Sequence, residues 1–314
     1  MSAAAVDGGR QDRQTMAVPW RGVLRASARQ HRAGLIGMAL YYGCCVVLML
    51  ATALLARGRQ FGSAPHLLVS VLMVLLEAAP AVAGAVLGAP LVARQIETGT
   101  TRLAWVQGTS RGRWLLGQAA PAIVLLAAGA AVTGGLTAWW TGRALPAALP
   151  WHIFNLVTPA CIGWTVAGFA LGVFLGSVLR RTVPAMVATV AGYAALAYEV
   201  SSSWRMAYLP PLAMTGPRVT SSMGSFATYF STGRGHFPPY ILGARLGWPD
   251  GRPLGSAAYA HGLSWLVAHH IRWWTSYQPG SRFLPFQLIE SGWLIALAAV
   301  LIAAAVVVIR RRPA

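Results

Sequence analysis

Long apolar runs recur along this chain, separated by short segments that carry its arginines. A helix needs roughly 20 mainly apolar residues to cross the hydrocarbon core of a bilayer. Six runs come near or exceed that length: 34–56, 66–93, 115–140, 151–179, 183–200 and 286–309, the fifth being the shortest. The pattern predicts an all-α integral membrane protein of six transmembrane helices, with a large outer loop, 201–285, before the last. Pro80, Pro121, Pro159 and Pro184 interrupt four of the runs, which predicts kinks or broken helices there. Gly168, Gly172 and Gly176 stand at every fourth position of the fourth run, and Gly84 and Gly88 repeat the spacing in the second. Small residues in that register let another helix approach closely.

Residues 1–18 are polar and are read as a disordered cytoplasmic start, leaving 19–314 as a single transmembrane domain. From Pro19 onward Arg21, Arg25, Arg29 and Arg32 share one helical face, with Trp20, Val23, Leu24 and Ala28 beside or opposite them. That arrangement predicts an amphipathic helix lying in the membrane interface, in contact with lipid headgroups. In the outer loop Tyr259, Leu263, Leu266, Val267, His270, Ile271 and Trp274 repeat at helical spacing. A helix in the outer interface is expected over 257–274, where tryptophan rings favour headgroup depth.

Composition narrows the function. The chain is 56% hydrophobic and only 10% charged, against about 25% charged in a soluble domain. Its formal charge of +18 is spread over loops and ends, with no basic cluster beside base-stacking aromatics, so no nucleic-acid partner is expected. Every basic residue is arginine. A P-loop needs a lysine to reach the phosphates, so ATP chemistry is expected on a partner chain, with no cofactor here and no enzymatic activity. No H-E-x-x-H pattern occurs. Cys44, Cys45 and Cys161 lie inside apolar runs and read as packing residues. His236, His261, His269 and His270 have only Asp250 as an acid in their loop, too few convergent ligands for a metal site.

The arginines also set the topology. Six precede or open the first run, four lie in 91–115, and Arg180, Arg181 and Arg310 to Arg312 complete one side. Leaving aside the long last loop, that is fifteen against three, Arg57, Arg59 and Arg143. Cytoplasmic loops carry the arginine excess, so both termini are expected in the cytoplasm of a bacterial cell, as a multi-pass protein of its membrane.

Three acids at or within the runs are candidate sites. Glu77 falls near mid-membrane, where an ionisable group is expensive; it reads as a translocation-pathway contact or as a carboxyl bonded to a neighbouring helix. Glu199 and Glu290 sit near outer ends, and pairing with Arg205 or Arg282 is expected.

The most informative stretch is 91–115, LVARQIETGTTRLAWVQGTSRGRWL. Glu97, Gly99, Thr100, Trp105, Gln107, Arg111, Arg113 and Trp114 spell E-x-G-T, W-x-Q and R-x-R-W, and resemble the cytoplasmic loop of ABC-2-type transporter permeases, above all the actinobacterial branch. A second stretch, YQPGSRFLPFQLIESG, resembles that family's entry into its last span, through Tyr277, Gln278, Pro279, Arg282, Phe283, Phe286, Gln287 and Glu290. Gln95 stands where the family usually has an acid, and Gln118 where lysine is common. The resemblance implies a permease subunit, an exporter by family habit. It also implies a separate ABC ATP-binding subunit docked on 94–114 through Glu97, Gly99, Thr100, Gln107, Arg111, Arg113 and Trp114, and two permease copies per pump. Two rivals remain open on sequence: a membrane enzyme with its site in 201–285, and a non-transporting immunity or interaction protein. The arginine bias predicts that a cysteine placed at Thr109 is labelled only by reagents that reach the cytoplasm; labelling from outside the cell would reverse the topology.

Overall fold

The computed structural model describes residues 29–55, 66–99, 111–144, 151, 153–218, 240–255 and 262–311. The expected start over 1–18, the amphipathic helix before residue 29, and Thr100, Trp105 and Gln107 lie outside the described residues. Among the described residues six helices are long and apolar enough to cross a membrane: Arg32–Leu54, Leu67–Glu97, Arg111–Thr141, Ala160–Leu179, Thr182–Ala207 and Gly280–Arg311.

The fourth span is the central pillar. Of its most apolar stretch 61% is buried within the chain, against 22% for the first, fifth and sixth. It packs along the sixth span and against the second, third and fifth. Its glycines explain how it does so. A Cβ on Gly168 would meet the Pro80 carbonyl oxygen at 2.5 Å, and one on Gly172 or Gly176 would collide with the carbonyl oxygens of Gly84 or Ala89. From the other side, Gly84 faces the Gly168 carbonyl and Gly88 that of Phe169. Spans two and four therefore touch backbone to backbone, a distance that only small residues allow. Farther along, Gly163 admits span six, since its Cβ would stand 3.0 Å from the Ser291 Cα.

Each proline has a local consequence. Pro80 lies inside the second span, which passes through a π-helical turn, Gly84–Gly88, before resuming as Ala89–Glu97. Pro121 lies within a continuous helix, Arg111–Ala144. Pro184 falls in the first turn of its helix, where its missing N–H breaks no bond. Pro159 moves a boundary. The fourth helix, expected from residue 151, begins at Ala160 with Pro159 as its cap residue. Residues ahead of it form a short 3-10 turn, Phe154–Leu156. Non-helical backbone at membrane depth is tolerated where it is buried and satisfied. Here the Gln287 side-chain amide of the sixth span donates to the Phe154 carbonyl at 2.9 Å.

The region between spans five and six, expected as the outer loop, holds a three-stranded antiparallel sheet, β1 (Leu212–Arg218), β2 (Tyr240–Gly247) and β3 (Arg272–Gln278), in the order β1-β3-β2. The interfacial helix expected over 257–274 is corrected by this. Among the described residues of that stretch helix covers Gly262–Ala268, His270 turns the chain with a φ of 56°, and the tryptophans that follow enter β3. Leu246, Leu254, Leu266 and Ile271 form a small core under the sheet, flanked by Trp248, Trp265 and Trp273.

Replacing Gly172 by valine forces a side chain into the Gly84 carbonyl and should cost about 1–3 kcal/mol or more of stability. Gly37→Ala, where a Cβ meets nothing within 4 Å, should leave stability unchanged or raise it by up to about 1 kcal/mol. Thermal unfolding of the two detergent-solubilised variants checks the contrast.

Candidate functional site

Three polar arrangements stand out in the apolar bundle, two at its arginine-bearing end and one beneath the sheet. At the arginine-bearing end the second span stops at Glu97. Gly99 closes it with a φ of +69° and donates to the Ile96 carbonyl at 3.2 Å, the left-handed ending that glycine adopts without strain. The Glu97 carboxylate then accepts from the Thr182 backbone N–H at 3.0 Å and from the Thr182 hydroxyl. Thr182 opens the fifth span, so this carboxylate caps the N-terminus of a neighbouring helix, where a negative charge is stabilised by unpaired N–H groups and the helix dipole. At the far side of the loop, Arg111 donates to the Ile309 carbonyl at 2.9 Å and the Arg310 carbonyl at 3.3 Å. A cation there complements the C-terminus of the sixth span. The two ends of 94–114 are thus fastened to spans five and six.

Trp114, named above among the docking residues, lies in the core. It is 5% exposed and packs in the cluster that includes Leu91, Leu115 and Ile309, because the helix begins at Arg111 and turns this ring inward. Arg113 is half-buried. Gln95 and Gln118 are also buried, and they meet at His31: its Nε2 lies 2.9 Å from Gln118 Oε1 and 3.5 Å from Gln95 Nε2. Burial holds the His31 imidazole below its ordinary pKa, against the Gln118 hydrogen bond and with the help of the Arg94 charge. These two glutamines tie the first three spans together and are not a docking surface.

Beneath the sheet, Glu290 of the sixth span is fully buried and Arg205 is 5% exposed. Arg205 approaches edge-on, its Nη2 2.7 Å from Oε1 and its Nε 2.9 Å from Oε2. Trp164 donates its indole N–H to Oε1 at 2.7 Å, and the Tyr208 hydroxyl reaches Oε2 at 3.1 Å. Both oxygens are therefore doubly satisfied. Arg205 also donates to Asn155 Oδ1 and lies over the Phe154 ring, 4.1 Å from its centroid. Beside this cluster Gln278 holds the Leu209 carbonyl at 2.8 Å, and Arg282 the Pro210 carbonyl at 2.7 Å. The stretch 277–290 thus braces the outer region against the spans.

Glu77 is exposed in the second span and lines a cavity of about 370 Å³ together with Trp151, Asn155, Tyr193, Tyr198 and Arg205. Glu199, on the fifth span, is exposed and is not among the residues lining that cavity. His269 is occupied by packing, its ring stacked 4.0 Å from that of Trp265; His236 and His261 lie outside the described residues. Sequence reasoning missed Thr182, His31, Trp164, Asn155 and Tyr208 as partners. Asn155 carried a usable signal, as a lone amide in an apolar run; the others are ordinary residues until the fold juxtaposes them.

Arg205→Ala leaves the Glu290 carboxylate buried and uncompensated, and should cost about 3–5 kcal/mol. Arg205→Met with Glu290→Gln should cost clearly less than the sum of the two single changes, read by chemical unfolding in detergent. Additive losses would mean that the pair is not coupled.

Comparison with known proteins gives a family match. The family described as ABC-2 membrane transporter related covers residues 32–205, more than half of the 314 residues. Neither a curated protein nor a solved structure gives a match.

Proposed function

We propose that this chain, which belongs to the ABC-2 membrane transporter related family and is a permease subunit of a transporter, is the export pathway of a pump driven by a separate ATP-binding subunit. In this reading the partner docks at 94–114, on the cytoplasmic side of the bacterial cell membrane, and two permease copies make the working unit. The nucleotide chemistry belongs to the partner, since this chain has no lysine for a P-loop.

The observation that supports coupling most is the double fastening of 94–114. A push on this loop has two bonded routes into the spans. One runs from Glu97 to the start of span five, and the other from Arg111 to the end of span six. Exposed Glu97 and Gly99 can meet a partner, whereas buried Trp114 supports the loop from behind.

Glu97→Ala removes the carboxylate that accepts from Thr182 at the start of span five. Gly99→Val places a β-branched residue at positive φ, a backbone state that such residues rarely adopt. Co-expressed with the ATP-binding subunit, both variants should reach the membrane and bind the partner but transport less per ATP hydrolysed. Arg10→Ala, in the polar start, should match the unaltered chain. Wild-type transport and hydrolysis by both loop variants would reduce the loop to a surface connector.

A further inference from the structure

We propose that the Glu77 cavity binds a lipophilic cation, and that Glu77 supplies the charge that selects it. The proposal rests on the permease reading only in calling this ligand a transport substrate; binding itself stands on the cavity.

Depth comes first. Glu77 lies ten residues into the span that begins at Leu67, about 15 Å along a helix, which is about half of a ~30 Å hydrocarbon core. The cavity continues from there along the fifth span, past Tyr193, to Ser201 and Met206. The wall also carries three aromatic rings, Ala197 and Met206, so a ligand with a large apolar body finds matching surface there.

Charge decides the sign. Two ionisable groups of opposite sign line the cavity, Glu77 and Arg205. The Arg205 charge is already matched by Glu290, in direct contact at 2.7 Å, and its Nη2 also donates to Asn155. Glu77 has no ion pair or hydrogen bond among the described residues, so the wall as a whole is negative. An anion would face an uncompensated carboxylate at low dielectric, where like charges cost most. A cation would be drawn to it. Trp151, Tyr193 and Tyr198 supply ring faces on the same wall, and aromatic faces attract cations, most when desolvated. A volume of about 370 Å³ is within the range of small-molecule sites, about 300–1,000 Å³.

The test uses two ions of nearly the same shape and opposite charge. Tetraphenylphosphonium and tetraphenylborate are titrated against the full chain in neutral detergent, with no ATP-binding subunit present, and followed by equilibrium dialysis. The unaltered chain should prefer the phosphonium by at least about tenfold in Kd. Glu77→Gln should erase that preference, Glu77→Asp should keep most of it, and Asp250→Asn, in the outer region, should change nothing. Equal binding of the two ions by the unaltered chain, or a preference that survives Glu77→Gln, overturns the proposal. Should Glu77→Gln fail to fold, the comparison of the two ions on the unaltered chain still decides it. If the phosphonium binds selectively but is not moved by the reconstituted pump, the cavity stands and its role as a transport site falls.

Discussion

A carboxylate fully enclosed by the chain organises the end of this molecule that carries the sheet. Glu290 is fully buried on the sixth span, and an unpaired charge there would cost several kcal/mol. The fold answers by converging a guanidinium, an indole and a phenol on two oxygens. Those partners come from the fourth span, the end of the fifth and the residues leading to β1. Satisfying one charge therefore fixes where the fifth span ends and where the sheet begins. Gln287 extends the same logic to the non-helical residues before Ala160, donating to the Phe154 carbonyl at membrane depth. Such a network contributes little net stability compared with an apolar replacement. Its stronger effect is positional, since an alternative packing would strand the charge.

Much of this was legible in the residues, because lipid leaves the backbone so few choices. Six apolar runs became six spans, and the expected pairing of Glu290 with Arg205 is present. What escaped was decided by contacts distant in sequence. RWWTSYQ enters a sheet because β1 and β2, from before and after a long intervening stretch, both pair with it; its apolar spacing alone also fits a helix. Trp114 looked superficial because arginines flank it, yet the helix that starts at Arg111 turns the ring into the core while the arginine reaches the end of span six. Gln95 and Gln118 gave no hint that a histidine ahead of the first span would join them. A sequence reports which groups need partners more readily than which partners they obtain.

The two ends of the bundle share the same pair of helices. Span two presents Glu77 to the cavity and ends at Glu97; span five begins at Thr182, against that same Glu97, and presents Tyr193 and Tyr198 to the same cavity. Between these points both pack on span four, span two so tightly that backbone meets backbone at Gly84, Gly168 and Gly172. Close-packed interiors transmit displacement instead of absorbing it. A rotation of span two driven from the loop therefore cannot be taken up by side chains at the glycine contact, where there are none. It must either slide along span four or carry span five with it through the Glu97–Thr182 cap. Both motions alter the distance between Glu77 and the tyrosines across the cavity. The proposed coupling loop and the proposed binding site would thus be opposite ends of one lever, with span four as its fulcrum.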